Sequence, residues 1–405
     1  MPHNNNPFIL GNPVAPEQLI GRKKELRQIA GRIITGQSSI ITGSPRSGKT
    51  SLLRSLSASE YAADYFGDEA DKLIFSYWDA CTCTPKFTLA QFWQRILKPL
   101  EEYIEAEHSN SQLAKAYYNC QKSAFDDYEL EKLIAAIKKI DKRLILIMDE
   151  FDSLLGASPL EFSPLLSSAE FFGGLRTTFS RPDSPMVLIV TANISRSQLH
   201  EKTKQFSRMG SPYFNFAEEI ILGALSEPEI DELLHQDNII YFTDNDRCFI
   251  KEIAGGHPYL LKTAASILWE TYEHDEKNEL NLKRELYIKV ADILDNIWKS
   301  WSQIMMDEQF TSLQKVFISV ALVQIKKWKV NFKKHGINID HIIGQFRSTN
   351  AELKQLENYG FLITDKNSEI GWRIYPSILL PFSIKKLEGY DDLKKLIIPK
   401  FFESP

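Results

Sequence analysis

The sequence predicts an α/β protein: a parallel sheet covered on both faces by helices, then a helical segment, then a small domain of helices and a hairpin. Three observations carry this expectation. Short runs rich in Ile, Leu and Val recur through the first 225 residues with helical stretches between them, and strands that read as continuous apolar runs belong to parallel sheets buried on both sides. From Ser226 the apolar period becomes helical, with Ile230, Leu233 and Leu234 at helical spacing. Past residue 305, three apolar helical stretches precede two β-rich runs around a polar turn. The expected boundaries are 1–20 for a lead segment, 21–225 for the sheet domain, 226–304 for the helical segment and 305–405 for the last domain.

The first strand is Ser38–Thr42. It leads into Gly43-Ser44-Pro45-Arg46-Ser47-Gly48-Lys49-Thr50, which satisfies the phosphate-binding pattern G-x-x-x-x-G-K-[ST] at every fixed position. The stretch Thr50–Leu56 continues as an amphipathic helix, so the motif has the strand, loop and helix its mechanism requires. Gly43 and Gly48 let the loop curl until successive backbone N–H groups and the positive helix end face one phosphate. Lys49 then reaches the β- and γ-phosphates and the Thr50 hydroxyl meets Mg²⁺. The nucleotide-contacting set is therefore Gly43, Pro45, Arg46, Ser47, Gly48, Lys49, Thr50 and Ser51.

Four further strands are expected at Lys72–Ala80, Arg143–Asp149, Met186–Ala192 and Glu219–Leu225, with a long helical excursion, Leu89 to Lys142, between the second and third. The third strand delivers Asp149 and Glu150 to the carboxyl edge of the sheet, beside the phosphate loop. Asp149 suits the metal, and Glu150 suits the water that attacks the γ-phosphate. Asp152 reads as a helix cap or loop acid. The fourth strand ends Val190-Thr191-Ala192-Asn193 and brings Asn193, or Thr191 if the register differs by two, to the same edge as a hydrogen-bonding sensor of the nucleotide.

The lid-like helical stretch opens with Ser226 as N-cap and Glu229 as its capping-box partner, and Pro258 follows the Gly255-Gly256 break at a helix start. In the last domain, helices are expected at Leu313–Val323, Asp340–Phe346 and Asn350–Gly360. Phe361–Thr364 and Gly371–Tyr375 flank the turn Asp365–Ser368 as a hairpin.

Composition narrows the function classes. Hydrophobic residues at 43% and charged residues at 25% describe a globular chain. A net charge of −5 and a pI near 6.0 argue against a surface built wholly for nucleic acid. Residues 301–405 hold 15 Lys and Arg against 11 Asp and Glu, densest at Lys326, Lys327, Lys329, Lys333 and Lys334, while the third helix there carries Glu352 and Glu357 against Lys354. Cys81, Cys83, Cys120 and Cys248 are too few and scattered for a disulfide framework or a zinc site, and read as reduced thiols. The amino terminus lacks signal-peptide character and no run approaches the ~20 apolar residues of a membrane helix, so a cytoplasmic protein without a membrane is expected.

The chain resembles the AAA+ and STAND phosphate-loop NTPases, close to prokaryotic AAA-type ATPases with a winged-helix domain, through five features that cover most of residues 7 to 265. The resemblance rests on Leu19-Ile20-Gly21-Arg22-Lys23-Lys24-Glu25-Leu26, the phosphate loop, Asp149-Glu150-Phe151-Asp152, the polar-ended fourth strand and Gly255-Gly256-His257-Pro258-Tyr259-Leu260-Leu261. It implies a five-stranded AAA+-like core, an α-helical lid and a carboxyl-terminal winged helix. It implies ATP and ADP with Mg²⁺, Gly21 and Arg22 against the adenine, and Pro258 packed on the base. Arg208 precedes the fifth strand where AAA+ relatives place an arginine acting in trans, with Arg176, Arg181 and Arg196 as further candidates. The family implies a slow ATPase that serves as a switch in signalling or defence, working through protein partners or self-association. The alternative is a DNA-binding AAA+ ATPase similar to initiator or transposon target-selection ATPases. The Met-His-Asp motif of NB-ARC proteins is not evident, nor is a GTPase Asn-Lys-x-Asp.

Overall fold

The computed structural model describes residues 6–8, 10–84, 86–107, 111–155, 169–181, 183–204, 213–235, 242–273, 283–294, 311–327, 332–335 and 337–385. The chain forms two compact units. The first comprises Ala15–Gly43 and Lys49–Ile221; the second takes in residues 1–14, Ser44–Gly48 and the chain from Leu222 onward.

The first unit is built on a five-stranded sheet of β1 (Ser38–Thr42), β2 (Leu73–Asp79), β3 (Arg143–Asp149), β4 (Met186–Ala192) and β5 (Ala217–Ile221), in the order β2-β3-β4-β1-β5. Every pairing is parallel. β1 and β4 are buried along their whole length, as is β3 beyond Arg143, because helices cover both faces and leave no side to be polar. Residues of one face, among them Ile40, Trp78, Leu146, Met148 and Val190, share a core with the helices Leu89–Ile96, Lys98–Glu107, Gln112–Lys122 and Asp127–Lys139. Trp78 meets the Phe92 ring edge-on at 5.2 Å. These four helices are the expected excursion. On the other side, α1 (Lys23–Ile34) packs on β1 and α2 (Lys49–Ser57). Arg143 ties its carboxyl end down by donating from Nη1 to the carbonyls of Ile33 (2.8 Å) and Ile34 (2.5 Å), where a cation complements the helix dipole.

β1, β3 and β4 occupy the expected residues. The fifth strand runs Ala217–Ile221, two residues earlier at its start than the apolar run suggests. Of its two acids, Glu218 lies outside the expected strand and Glu219 at its expected start, and both have partners at the sheet edge: Glu218 pairs with Arg32, and Glu219 Oε1 accepts from Thr42 Oγ1 at 2.9 Å and from the Arg196 N–H at 3.0 Å. Edge strands tolerate such charges. After Ile221 the chain leaves the sheet.

In the second unit, the helix Glu227–Leu234 starts as expected, with the Glu229 carboxylate accepting from the Ser226 N–H (2.8 Å) and hydroxyl (2.7 Å). Helices Asp244–Ala254 and Pro258–Glu273 follow, the latter beginning at the anticipated proline. Three helices, Thr311–Lys326, Ile339–Gln345 and Asn350–Asn358, then lead to an antiparallel pair, β6 (Leu362–Thr364) and β7 (Trp372–Ile374), in the expected order. The hairpin docks on the helix Asp244–Ala254. Arg373 meets both Glu252 oxygens at 3.1 and 3.2 Å, and Ser377 donates to the Glu252 carbonyl from its N–H (3.0 Å) and its hydroxyl (2.8 Å). Gly255 makes this approach feasible: its φ of 59° and ψ of −148° suit glycine alone, and a Cβ there would lie 3.1 Å from the Pro376 ring.

Candidate functional site

The sheet order sets the site. β3 lies beside β4, and β4 beside β1, so the carboxyl ends carrying Asp149, Thr191 and the phosphate loop adjoin one another. The loop turns on a Ser47 N–H to Ser44 carbonyl bond of 3.1 Å, with Arg46 at φ 64° and Gly48 at φ 98°. A Cβ on Gly48 would meet nothing within 4 Å, so its backbone conformation, not crowding, calls for glycine.

Lys49 is only 3% exposed. Its ammonium donates to the Gly43 carbonyl at 3.0 Å and to Asn193 Oδ1 at 2.8 Å. Burial lowers its pKa from the ordinary lysine value, and the nearby carboxylates of Glu150, Asp152 and Asp149 oppose that shift. Asn193 turns its other side-chain atom to Glu150, donating from Nδ2 to Oε2 at 2.6 Å. The amide thus bridges cation and carboxylate in the one orientation that suits both. Burial raises the Glu150 pKa above the usual carboxylate value, with the Lys49 charge pulling the other way. Asp152 Oδ1 accepts the Asn193 N–H at 3.2 Å, and burial raises its pKa as well.

Asp149, 2% exposed, accepts four hydrogen bonds. Oδ2 takes Thr50 Oγ1 at 2.9 Å and the Tyr77 hydroxyl at 2.5 Å; Oδ1 takes Thr191 Oγ1 at 2.5 Å and the Glu150 N–H at 3.1 Å. The Glu150 N–H also reaches Thr191 Oγ1 at 2.8 Å, and Glu150 sits at φ 52°. Thr50 and Asp149 together offer two hard oxygens of the kind Mg²⁺ selects. Among the described residues no group of three or more His, Cys, Asp or Glu could hold a metal ion. A cation here would draw its remaining ligands from phosphate and water, which fits nucleotide-borne Mg²⁺.

The structure therefore gathers Gly43, Lys49, Thr50, Asp149, Glu150 and Asn193, and both alternatives of the fourth strand take part: Thr191 on Asp149, Asn193 on Lys49 and Glu150. Ser51 is buried on α2. Pro45, Arg46, Ser47 and Gly48 lie in the loop that groups with the second unit. Within that unit the Arg46 guanidinium stands 4.2 Å from the centroid of the Tyr259 ring, next to Pro258. Gly21 (φ 72°) and the buried Arg22 (φ 63°) form the turn into α1, where Arg22 pairs with Glu25 at 3.4 Å. A cavity of about 250 Å³ beside them is lined by Leu19, Gly21, Leu26, Ser55 and Tyr65. Arg208 lies outside the described residues. Arg181 is held by Glu131 (2.6 Å) and Arg196 by the Ala217 carbonyl (3.2 Å), which explains both without the site. Tyr77 and Asp152 are additions to the expected set; both depend on which strands are neighbours.

Residues 33–197 match the family described as AAA domain. No curated protein matches the sequence. Among solved structures, the Walker-type ATPase PABY2304 of Pyrococcus abyssi is similar at a TM-score of 0.53 and 13% identity, covering 93% of this chain and 99% of that one. The ORC2 protein of Aeropyrum pernix, in ADPNP-ADP complexes, gives a TM-score of 0.39 at 14% identity over 99% of each chain. Domain III of the Thermotoga maritima replication initiation protein DnaA gives 0.36 at 13% identity, over 69% of this chain and 97% of that one. Over residues 33–197 the chain is thus similar to the AAA domain family, and that segment carries the complete phosphate loop and four of the five strands of the parallel sheet.

Proposed function

We propose that the chain binds ATP with Mg²⁺ at this site, hydrolyses it, and passes the nucleotide state to its second unit as a molecular switch of the STAND kind, in signalling or defence. The observation that carries this reading is the bridge from Lys49 through Asn193 to Glu150. It connects the residue that meets phosphate with the residue that meets water, so one event changes both.

Incoming phosphate oxygens replace Gly43 and Asn193 as acceptors for the Lys49 ammonium, which the loop N–H groups and the α2 amino terminus support. Thr50 and Asp149 would hold Mg²⁺, which supplies charge neutralisation between the β- and γ-phosphates. Glu150 then accepts the proton of the attacking water, and Asn193 fixes the carboxylate that receives it. Gly21, Arg22 and Pro258 serve the base, and Arg208 serves a neighbouring copy. Such a switch requires only that the nucleotide bind two arrangements of the chain with different affinity.

Two variants test the assignment. Lys49→Ala should abolish ATP binding, measured by equilibrium dialysis. Glu150→Gln should retain ATP and lose at least about 100-fold in turnover; hydrolysis at the parent rate would remove Glu150 from the chemistry.

A further inference from the structure

Tyr77 belongs to the edge strand β2, where its backbone pairs with Ile147 and that of Asp79 with Asp149. Alternate residues share a face, so Tyr77, Ile147 and Asp149 project to one side. Tyr77 is 41% exposed, yet its hydroxyl reaches a carboxylate that is almost fully buried. Hydrophobic burial does not account for a tyrosine placed this way. Its hydrogen bond does.

We infer that Tyr77 is a positioning residue for the metal-side carboxylate: its hydroxyl holds Asp149 Oδ2 in the orientation that faces Thr50. This rests on the reading of Thr50 and Asp149 as the Mg²⁺ side of an ATP site. Oδ1 is fixed by Thr191 and the Glu150 N–H. Oδ2 has two donors, Thr50 and Tyr77. When the Thr50 oxygen turns to a cation, its proton leaves Asp149, and Tyr77 is the donor that stays. Tyr77 thus acts one step behind the metal ligand, where outer partners set how well a ligand is oriented.

A merely structural tyrosine and a positioning one differ in what they do to metal dependence. The test uses the full-length chain and Tyr77→Phe, which keeps the ring and deletes the hydroxyl. Binding of a fluorescent ATP analogue is measured in EDTA and across a Mg²⁺ titration, with the thermal midpoint of each nucleotide-free protein as the folding control. The expected result is equal affinity in EDTA, equal thermal midpoints within a few degrees, and a Mg²⁺ midpoint raised about ten-fold in the variant. A coincident Mg²⁺ midpoint overturns the inference while leaving the ATP site standing. An equal loss of affinity with and without Mg²⁺ also overturns it, since the hydroxyl would then serve the fold or the nucleotide alone. If the parent chain binds no analogue at all, the proposed function falls and Tyr77 falls with it. Tyr77→Leu separates ring from hydroxyl: a thermal midpoint lowered beyond that of Tyr77→Phe measures the ring's packing.

Discussion

Asn193 donates its side-chain amide to Glu150 at 2.6 Å. The amide's oxygen is engaged by Lys49, which orients its nitrogen toward Glu150, so Glu150 has a fixed place before any nucleotide arrives. Asn193→Ala should leave Glu150 free to rotate and should leave the Lys49 ammonium able to meet phosphate. The expected outcome is turnover reduced about 100-fold with ATP affinity within a few-fold of the parent. Single-turnover and equilibrium-binding measurements separate the two quantities. A large loss of affinity with undiminished turnover would place Asn193 on the nucleotide rather than on the water.

The buried carboxylate leaves a mark on stability as well. The folded-state pKa of Glu150 is raised, chiefly by burial. Between the ordinary carboxylate value of about 4.3 and that raised value, the folded state binds more protons than the unfolded one. Stability from this group is therefore lost as pH rises through that window. Glu150→Gln should flatten the loss and raise the thermal midpoint of the nucleotide-free chain on the neutral side relative to the acid side. Calorimetry from about pH 4 to pH 8 reads this. An identical pH slope in parent and variant would show that the Lys49 charge compensates Glu150 fully.

The readable part of this molecule is the part whose causes are local. β1, β3 and β4 stand out because continuous apolar runs end abruptly in Gly43, Asp149 and Asn193, and the phosphate loop and the Ser226–Glu229 capping box are fixed by spacing alone. Tyr77 carries no such mark. Its role depends on β2 lying beside β3, an adjacency that no residue on either strand announces. Asp152 looks like a cap until the fourth strand brings the Asn193 N–H to it. Glu218 falls outside the expected fifth strand for the same reason, since Arg32, which accommodates it, lies far away in sequence.

Gly255 offers a stability test of the second unit. Its φ of 59° and ψ of −148° lie where side chains other than hydrogen are strained, and Pro376 stands 3.1 Å from where a Cβ would be. Gly255→Ala should cost about 1–3 kcal/mol, read as a shift of the chemical-denaturation midpoint. The cost should fall mainly on the docking of β7 against the helix Asp244–Ala254, so protection of the Ser377 N–H from exchange should drop with it. A change below about 0.5 kcal/mol would mean that the turn relaxes without loss.

The basic side chains of the hairpin region bear on nucleic acid. Arg373 is engaged by Glu252, Lys354 by Glu357 at 2.6 Å and Lys326 by Glu369 at 3.0 Å. Lys329 of the basic cluster lies outside the described residues. A contact from any of these three side chains to a DNA phosphate would first have to break its pair. Exposed pairs contribute little, at most about 1 kcal/mol each, so the stronger obstacle is the carboxylates themselves, which stand where phosphates would approach. We expect the full-length chain to show no measurable affinity for a mixed-sequence duplex at about 150 mM salt by fluorescence anisotropy, with or without ATP. Binding at low salt with a steep log–log salt slope, near −0.9 for each phosphate neutralised, would reverse this and bring the DNA-contacting reading forward. Glu252→Gln then discriminates further: it removes one of the two carboxylates paired with Arg373, leaving Asp365, so a surface that reads DNA should gain affinity in that variant, and a surface that docks only the helix Asp244–Ala254 should lose thermal stability without gaining any.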